Sequence, residues 1–274
     1  MLLSAKIAPT FDYPVLHEFW ARADQLGFHS VANYEHFYGL VDPADPTFEG
    51  WTSLAAMAVV VRRARVSCLV SGVTYRNPAV LAKMAVTVDH ISGGRLDFGL
   101  GAAWHEDEHR GYGLDFPAAG TRVEMLDEAL TIIRRLWTED TVTFDGKHYR
   151  VHDALGNPKP VQRPHPPIVI GGEKPKMLRV IARHADEWNV PSHGDVAVWA
   201  ETSARLDQAC AQIGRDPAQI RRSVQLFIHP AQQGHLEDQL ARLDELASVG
   251  CRHAVLSFYQ PPTIEQLERC AALM

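Results

Sequence analysis

The chain has 274 residues, 46% of them hydrophobic, and a formal net charge of -6. That is enough apolar material for a large core, and an α/β barrel of this length commonly forms one domain, here residues 1–274. An acidic balance without a clustered basic patch argues against nucleic acid or a membrane surface as the main partner.

Short β-branched or apolar runs alternate with amphipathic helical segments through eight cycles. LLSAKIA from Leu2 precedes the helix VLHEFWARADQLG, and HSVANY from His29 precedes TSLAAMAVVVRRA. RVSCLVSG from Arg65 leads to PAVLAKMAVTVDHIS, and RLDFGLG from Arg95 to GTRVEMLDEALTIIRRLWTE. PIVIGG from Pro167 is followed by PKMLRVIARHA, and EWNVP from Glu187 by VAVWAETSARLDQACAQIG. RSVQLFIH from Arg222 and HAVLSF from His253, with HLEDQLARLDELASVG and TIEQLERCAALM, complete the series. Alternation implies parallel strands joined by crossovers, and eight units imply closure into a (β/α)8 TIM barrel. A doubly wound open sheet fits less well. Its phosphate-binding glycine pattern would begin at Gly99-x-Gly101, yet Trp104 stands where the third glycine belongs.

Residues 141–167 break the rhythm. Asp145-Gly146 signals a hairpin, and a proline-rich connection comes next, so this reads as an insertion after the fourth helix. The four cysteines, Cys68, Cys210, Cys251 and Cys270, form no C-x-x-C pair and read as reduced core thiols. The first residues have neither a charged region nor a long apolar one, and nowhere do eighteen apolar residues run together, so a cytoplasmic location is expected.

His105, Glu106 and His109 spell H-E-x-x-H, a zinc-protease signature that has physical content only on a buried helix. Here the run is acidic and sits among Gly101, Gly111 and Gly113, so it is expected to be a solvated loop that binds no metal.

A barrel carries its chemistry after the carboxyl ends of its strands. His36 comes after the second strand and can serve as proton donor, ring hydrogen-bonder or structural cap. Ser71, Gly72 and Val73 come after the third, where bare backbone at Gly72 would let a flat ring approach or would simply ease packing. Trp104 after the fourth is a pocket wall or a packed aromatic, and His105 and Glu106 are acid/base candidates. Gly171, Gly172, Glu173 and Lys174 open a helix whose free N–H groups suit a phosphate.

These residues carry a resemblance. SVANYEHF at 30–37, the run from Ser71 to Pro117 with R-N-P-A-x-L-A-K, D-x-I-S-x-G-R and G-L-G-A-x-W in order, and PIVIGGEKPKMLRVIARHADEWN at 167–189 resemble the bacterial luciferase-like family of TIM-barrel flavin and deazaflavin enzymes, above all its F420-dependent oxidoreductase branch. The resemblance covers the chain to about Asn189. It implies an oxidoreductase exchanging hydride between coenzyme F420 and a small organic substrate, as an alcohol/carbonyl pair or an activated alkene, and a homodimer. It further implies a non-proline cis peptide behind the ring near Ser71, Gly72 and Val73, the cofactor phosphate near Gly171 and Gly172, and His36 at the ring. The branch's sugar-phosphate dehydrogenases place a glutamate directly after G-x-G, where this chain has Ala102. The alternatives are a reduced-FMN monooxygenase on the same barrel and a non-catalytic flavin-binding protein.

Overall fold

The computed structural model describes residues 1–40, 42–191 and 195–274. Its strands are β1 (Leu2–Ile7), β2 (Ser30–Asn33), β3 (Arg65–Gly72), β4 (Leu96–Gly101), β5 (Thr141–Asp145), β6 (Arg150–Leu155), β7 (Ile168–Gly171), β8 (Glu187–Pro191), β9 (Arg221–Ile228) and β10 (His253–Phe258). Its helices are α1 (Tyr13–Leu26), α2 (Gly50–Val60), α3 (Pro78–Ser92), α4 (Glu106–Gly111), α5 (Ala119–Thr138), α6 (Pro175–His184), α7 (Val196–Ala211), α8 (His235–Ser248) and α9 (Ile264–Ala271). Eight parallel strands close into a barrel in the order β1-β10-β9-β8-β7-β4-β3-β2, as the alternation predicts. The helix boundaries obey local chemistry. Asn77 caps α3 by accepting from the Ala79 N–H at 2.9 Å, with Pro78 in the first turn, and Gly27 ends α1 at φ 90°.

Strand alternation divides the buried residues into two sets. Ala5, Ile7, Val31, Val66, Phe98 and Ile168 pack outward into the main core under the helices. The inward set is polar near the strand starts. There the Ser4 hydroxyl lies 2.7 Å from His253 Nε2, His253 Nδ1 lies 2.8 Å from Glu187, and Arg65 donates to Asp97 at 2.8 Å.

The wall made by β3, β4 and β7 explains the Gly99-x-Gly101 pattern. A cis peptide joins Leu69 to Val70, and the β3–β4 register shifts between Cys68 and Ser71. This places Val70 over glycine backbone: a Cβ on Gly101 would meet Val70 at 2.9 Å, one on Gly171 would meet it at 3.8 Å, and one on Gly99 would overlap the Cys68 carbonyl. The glycines make room for the bulge. Gly99→Ala is therefore expected to cost at least about 2 kcal/mol, read by urea unfolding, because the clashing partner is backbone and cannot rotate away.

Residues 141–155 form a two-stranded antiparallel sheet, β5 with β6, lying outside the barrel. Its turn is held by α5, where the Glu128 carboxylate accepts the N–H groups of Lys147, His148 and Tyr149 at 2.8, 2.9 and 3.0 Å. The Tyr149 hydroxyl donates to the Val73 carbonyl at 3.3 Å, so the turn reaches the rim where β3 ends. Among the described residues, no helix is long and apolar enough to cross a membrane.

Candidate active site

The carboxyl end of the barrel is organised by a carboxylate that the sequence pattern does not single out. The segment expected to be a solvated loop is the short helix α4. One turn of helix is enough to place His105, Glu108 and His109 on one side, and that side is buried at Glu108 and His109. Glu108 is 0% exposed. Its Oε1 is 2.9 Å from His36 Nδ1 and also accepts from the Tyr75 hydroxyl, while Oε2 accepts from the Phe37 N–H at 2.9 Å.

Burial alone would push the Glu108 carboxyl up. The hydrogen bond and charge of His36, the Tyr75 hydroxyl and the Phe37 N–H outweigh it and draw the group from 4.5 down to about 2. Glu108 is therefore ionised at neutral pH and can only accept. That assigns the tautomer of His36: Nδ1–H donates to Glu108, and Nε2 makes no hydrogen bond among the described residues. Burial first, and Glu108 next, push the Tyr75 phenol far up, which keeps it a donor. Tyr75 is itself wedged between Phe37 and His109, at ring distances of 4.8 and 4.9 Å.

The other candidates fall into place around this pair. His36 is buried, with the rings of Tyr34 and Trp104 each at 5.3 Å and edge-on. Trp104 is 63% exposed and so stands at the open rim. His105 caps α4, its Nδ1 accepting from the Glu108 N–H at 3.4 Å, and its ring is 5.9 Å from that of His36. Glu106 is exposed and does not reach His36 or Glu108 through any bond in the described residues. The H-E-x-x-H arrangement also dissolves: His109 uses Nδ1 on the His105 carbonyl at 2.7 Å and Nε2 on Thr74 at 2.6 Å. Among the described residues, no group of three or more His, Cys, Asp or Glu is placed to hold a metal.

The expected ring-facing bulge at Ser71, Gly72 and Val73 lies two residues earlier, at Leu69–Val70. Ser71 and Val73 are buried, and the Ser71 hydroxyl accepts from Trp51 Nε1 at 2.7 Å. They support the wall from behind. Gly72 has a separate constraint, since a Cβ there would meet the Tyr75 ring at 2.5 Å and displace it from Glu108. The Gly72 N–H donates to Glu35 at 3.2 Å. Glu35 is fully buried and held by Arg76, which bonds both its oxygens. This ion pair ties the end of β2 to the loop after β3, and so fixes the spacing of His36 from Tyr75.

After β7, Gly172 adopts φ +132°, and the carbonyls of Gly172 and Glu173 are held by Trp188 Nε1 at 2.7 Å and Arg205 at 3.3 Å. In a trans peptide the next N–H points the opposite way, so Glu173 and Lys174 turn their N–H groups away from these anchors. Helix α6 begins there with no side-chain cap. Glu173 and Lys174 pair with each other at 3.4 Å on the surface. The loop is thus an uncapped helix start with its carbonyls already engaged, the donor set that an anionic group requires.

Residues 3–262 match the family model described as luciferase-like monooxygenase. The chain belongs to this family. Among its relatives, an uncharacterised protein of Mycobacterium tuberculosis is 35% identical over 201 residues, 73% of this chain and 67% of that protein. An F420-dependent glucose-6-phosphate dehydrogenase of Intrasporangium calvum is 32% identical over 209 residues, 75% of this chain but 62% of that enzyme. The chain therefore matches less than two thirds of that relative's length. Among solved structures, an F420-dependent secondary alcohol dehydrogenase in complex with an F420-acetone adduct superposes with a TM-score of 0.85 at 17% identity, covering 100% of this chain and 98% of that one. A monooxygenase from Streptomyces bottropensis superposes at 0.79 with 22% identity, covering 100% and 97%. At such identities the structures establish a shared fold.

Proposed function

We propose that this luciferase-like protein is an oxidoreductase that binds coenzyme F420 at the carboxyl end of the barrel and exchanges hydride with a small organic substrate. The observation that carries the reading is the buried His36–Glu108 pair at the barrel mouth, supported by the likeness to F420-dependent relatives. When bound, F420 supplies a two-electron hydride carrier.

The residues present fit such a group. Val70 projects partly exposed from the bulge over the glycine wall, a platform without polar atoms that suits one face of a flat ring. Gly171 and Gly172, with the backbone of Glu173 and Lys174, would hold the phosphate at the start of α6. Trp104 walls the rim. His36 moves the proton: Glu108 fixes its Nδ1–H, and Nε2 is the atom left to give a proton to, or take one from, a substrate oxygen. Ala102 supplies only its carbonyl, which accepts from Arg122 Nε at 3.0 Å, so the carboxylate that acts through His36 comes from α4 instead.

The first test is a fluorescence titration with F420 and, separately, FMN. Saturable F420 binding at least tenfold tighter than FMN is expected. It should be lost in Gly172→Asp, which adds a charge at an anion site, a side chain at φ +132° and a Cβ 3.1 Å from Met177. Preference for FMN would move the assignment to oxygen-dependent monooxygenation, and binding of neither would refute the cofactor.

A further inference from the structure

We propose that the substrate of this site is a small planar organic anion, a monocarboxylate, and that Lys6 is its counter-ion. The inference rests on the reading that the barrel mouth is where cofactor and substrate meet. It adds the chemical class of the substrate.

Lys6 is on β1, in register with Ala32 and Ser257, and its side chain points into the barrel at 5% exposure. An ammonium has three donors. One goes to Gln225, whose amide donates in turn to Asn189 at 2.7 Å, and Asn189 donates to Ser223 at 2.8 Å. This chain fixes the Gln225 carbonyl toward Lys6. The other two donors have no hydrogen-bond partner among the described residues, and no Asp or Glu forms an ion pair with Lys6 there. The rings of Tyr34 and Phe227 lie beside the ammonium, at 5.7 and 5.9 Å to their centroids. A cation is thus buried with one neutral amide and two aromatic faces, an arrangement that costs free energy until an anion arrives. Burial draws its pKa from 10.5 down to about 8, so at neutral pH the charge is still present.

The space above it matches. Ala8, the first residue beyond the end of β1, lies about 7 Å further toward the mouth by the rise of an extended chain. It lines a cavity of about 250 Å³ together with Tyr34, His229 and Tyr259 and one carboxylate, Asp45, so the charge of Lys6 has to outweigh that of Asp45 for an anion to bind. His229 and Tyr259 stack at 4.6 Å and 10°, which gives the cavity a flat wall, and Phe227 stacks under Tyr259 at 5.4 Å. Tyr34 and Phe227 therefore connect the cavity to Lys6. Around the barrel, β1, β9 and β10 stand across from the β3, β4 and β7 wall that carries Val70 and the α6 start. The two walls divide the mouth into a cofactor side and a substrate side, with His36 at the end of β2 between them.

The test uses benzoate and its neutral isostere benzamide as probes, titrated calorimetrically at pH 7 into the cofactor-free protein and into Lys6→Met. Benzoate is expected to bind at least tenfold more tightly than benzamide, with the preference abolished in Lys6→Met and both probes weakened alike in Tyr259→Ala. Lys6→Gln serves the same purpose if the methionine variant does not fold. Equal affinity for the two probes, no binding of either, or a benzoate preference that survives removal of Lys6 overturns the proposal. F420 is titrated into the same variants. Loss of the benzoate preference with F420 binding intact supports the proposal, whereas a protein that takes benzoate through Lys6 but never binds F420 keeps the anion site and loses the cofactor reading.

Discussion

Glu108→Ala is expected to lower stability by about 4 kcal/mol and the hydride-transfer rate by at least about 100-fold, with F420 affinity changed less than threefold. Three donors converge on this carboxylate, from His36, Tyr75 and Phe37, and each would be left buried without its acceptor. A stranded buried donor costs about 1–3 kcal/mol. The rate falls because an untethered imidazole samples both tautomers and several orientations, and a positioned proton donor is worth about 100- to 10,000-fold. Denaturant unfolding and stopped-flow reduction read the two effects separately. The pH dependence has a defined sign. Glu108 has a lower pKa folded, about 2, than unfolded, 4.5, so its contribution is complete above 4.5 and fades as pH falls toward 2. That contribution is about 3 kcal/mol, from about 1.4 kcal/mol per tenfold change in proton affinity. Acid unfolding of the alanine variant should lack this component. A wild-type curve identical in shape to the variant's would remove Glu108 from its place at the centre of the site.

Arg76→Met is expected to cost about 3–5 kcal/mol, the range for stripping a partner from a buried carboxylate. Glu35 is fully buried, and Arg76 is the cation that reaches both its oxygens. Burial already pushes the Glu35 carboxyl up, with Arg76 opposing it, so the variant should force Glu35 to take a proton. The double variant Glu35→Gln/Arg76→Met removes the buried charge at position 35, while Glu49, which also pairs with Arg76 at 3.5 Å, keeps its bonds from the Trp51 and Thr52 N–H groups. It should recover at least half of the loss, because an amide oxygen can still accept from the Gly72 N–H. Urea midpoints of the single and double variants decide this. If the double variant is as unstable as the single, packing of the arginine stem, and not the buried charge, accounts for the cost.

The two carboxylates show what made parts of this site hard to see in the chain. Glu108 stands after Glu106 and Asp107 in an acidic run, and such a run is ordinarily solvated. Its three exposed neighbours, Glu106, Asp107 and Arg110, are as polar as expected, and only helical phase separates Glu108 from them. Reading His105, Glu108 and His109 as one side of a turn would have singled it out. His36 was legible because a barrel presents the residues just beyond its strand ends. Lys6 was not, because a lysine within a strand reads as an outward-facing charge until the sheet closes around it.

The placement of the bulge has a similar cause. Gly99-x-Gly101 marks a close approach of backbone, and the resemblance placed the accompanying cis peptide after β3. Which inward side chain fills the space depends on the strand register, and that placed Val70 there instead of the segment from Ser71 to Val73.

Periodicity and order along the chain determined the alternating elements, the closed barrel and the strand ends at which chemistry collects, since these arise from local hydrophobic spacing and short connections. Only the tertiary structure decided that Glu108 reaches His36 across 72 positions, that Lys6 is enclosed, and that the turn at 146–149 meets the rim, because burial and hydrogen-bond partnership belong to residues brought together from distant parts of the chain.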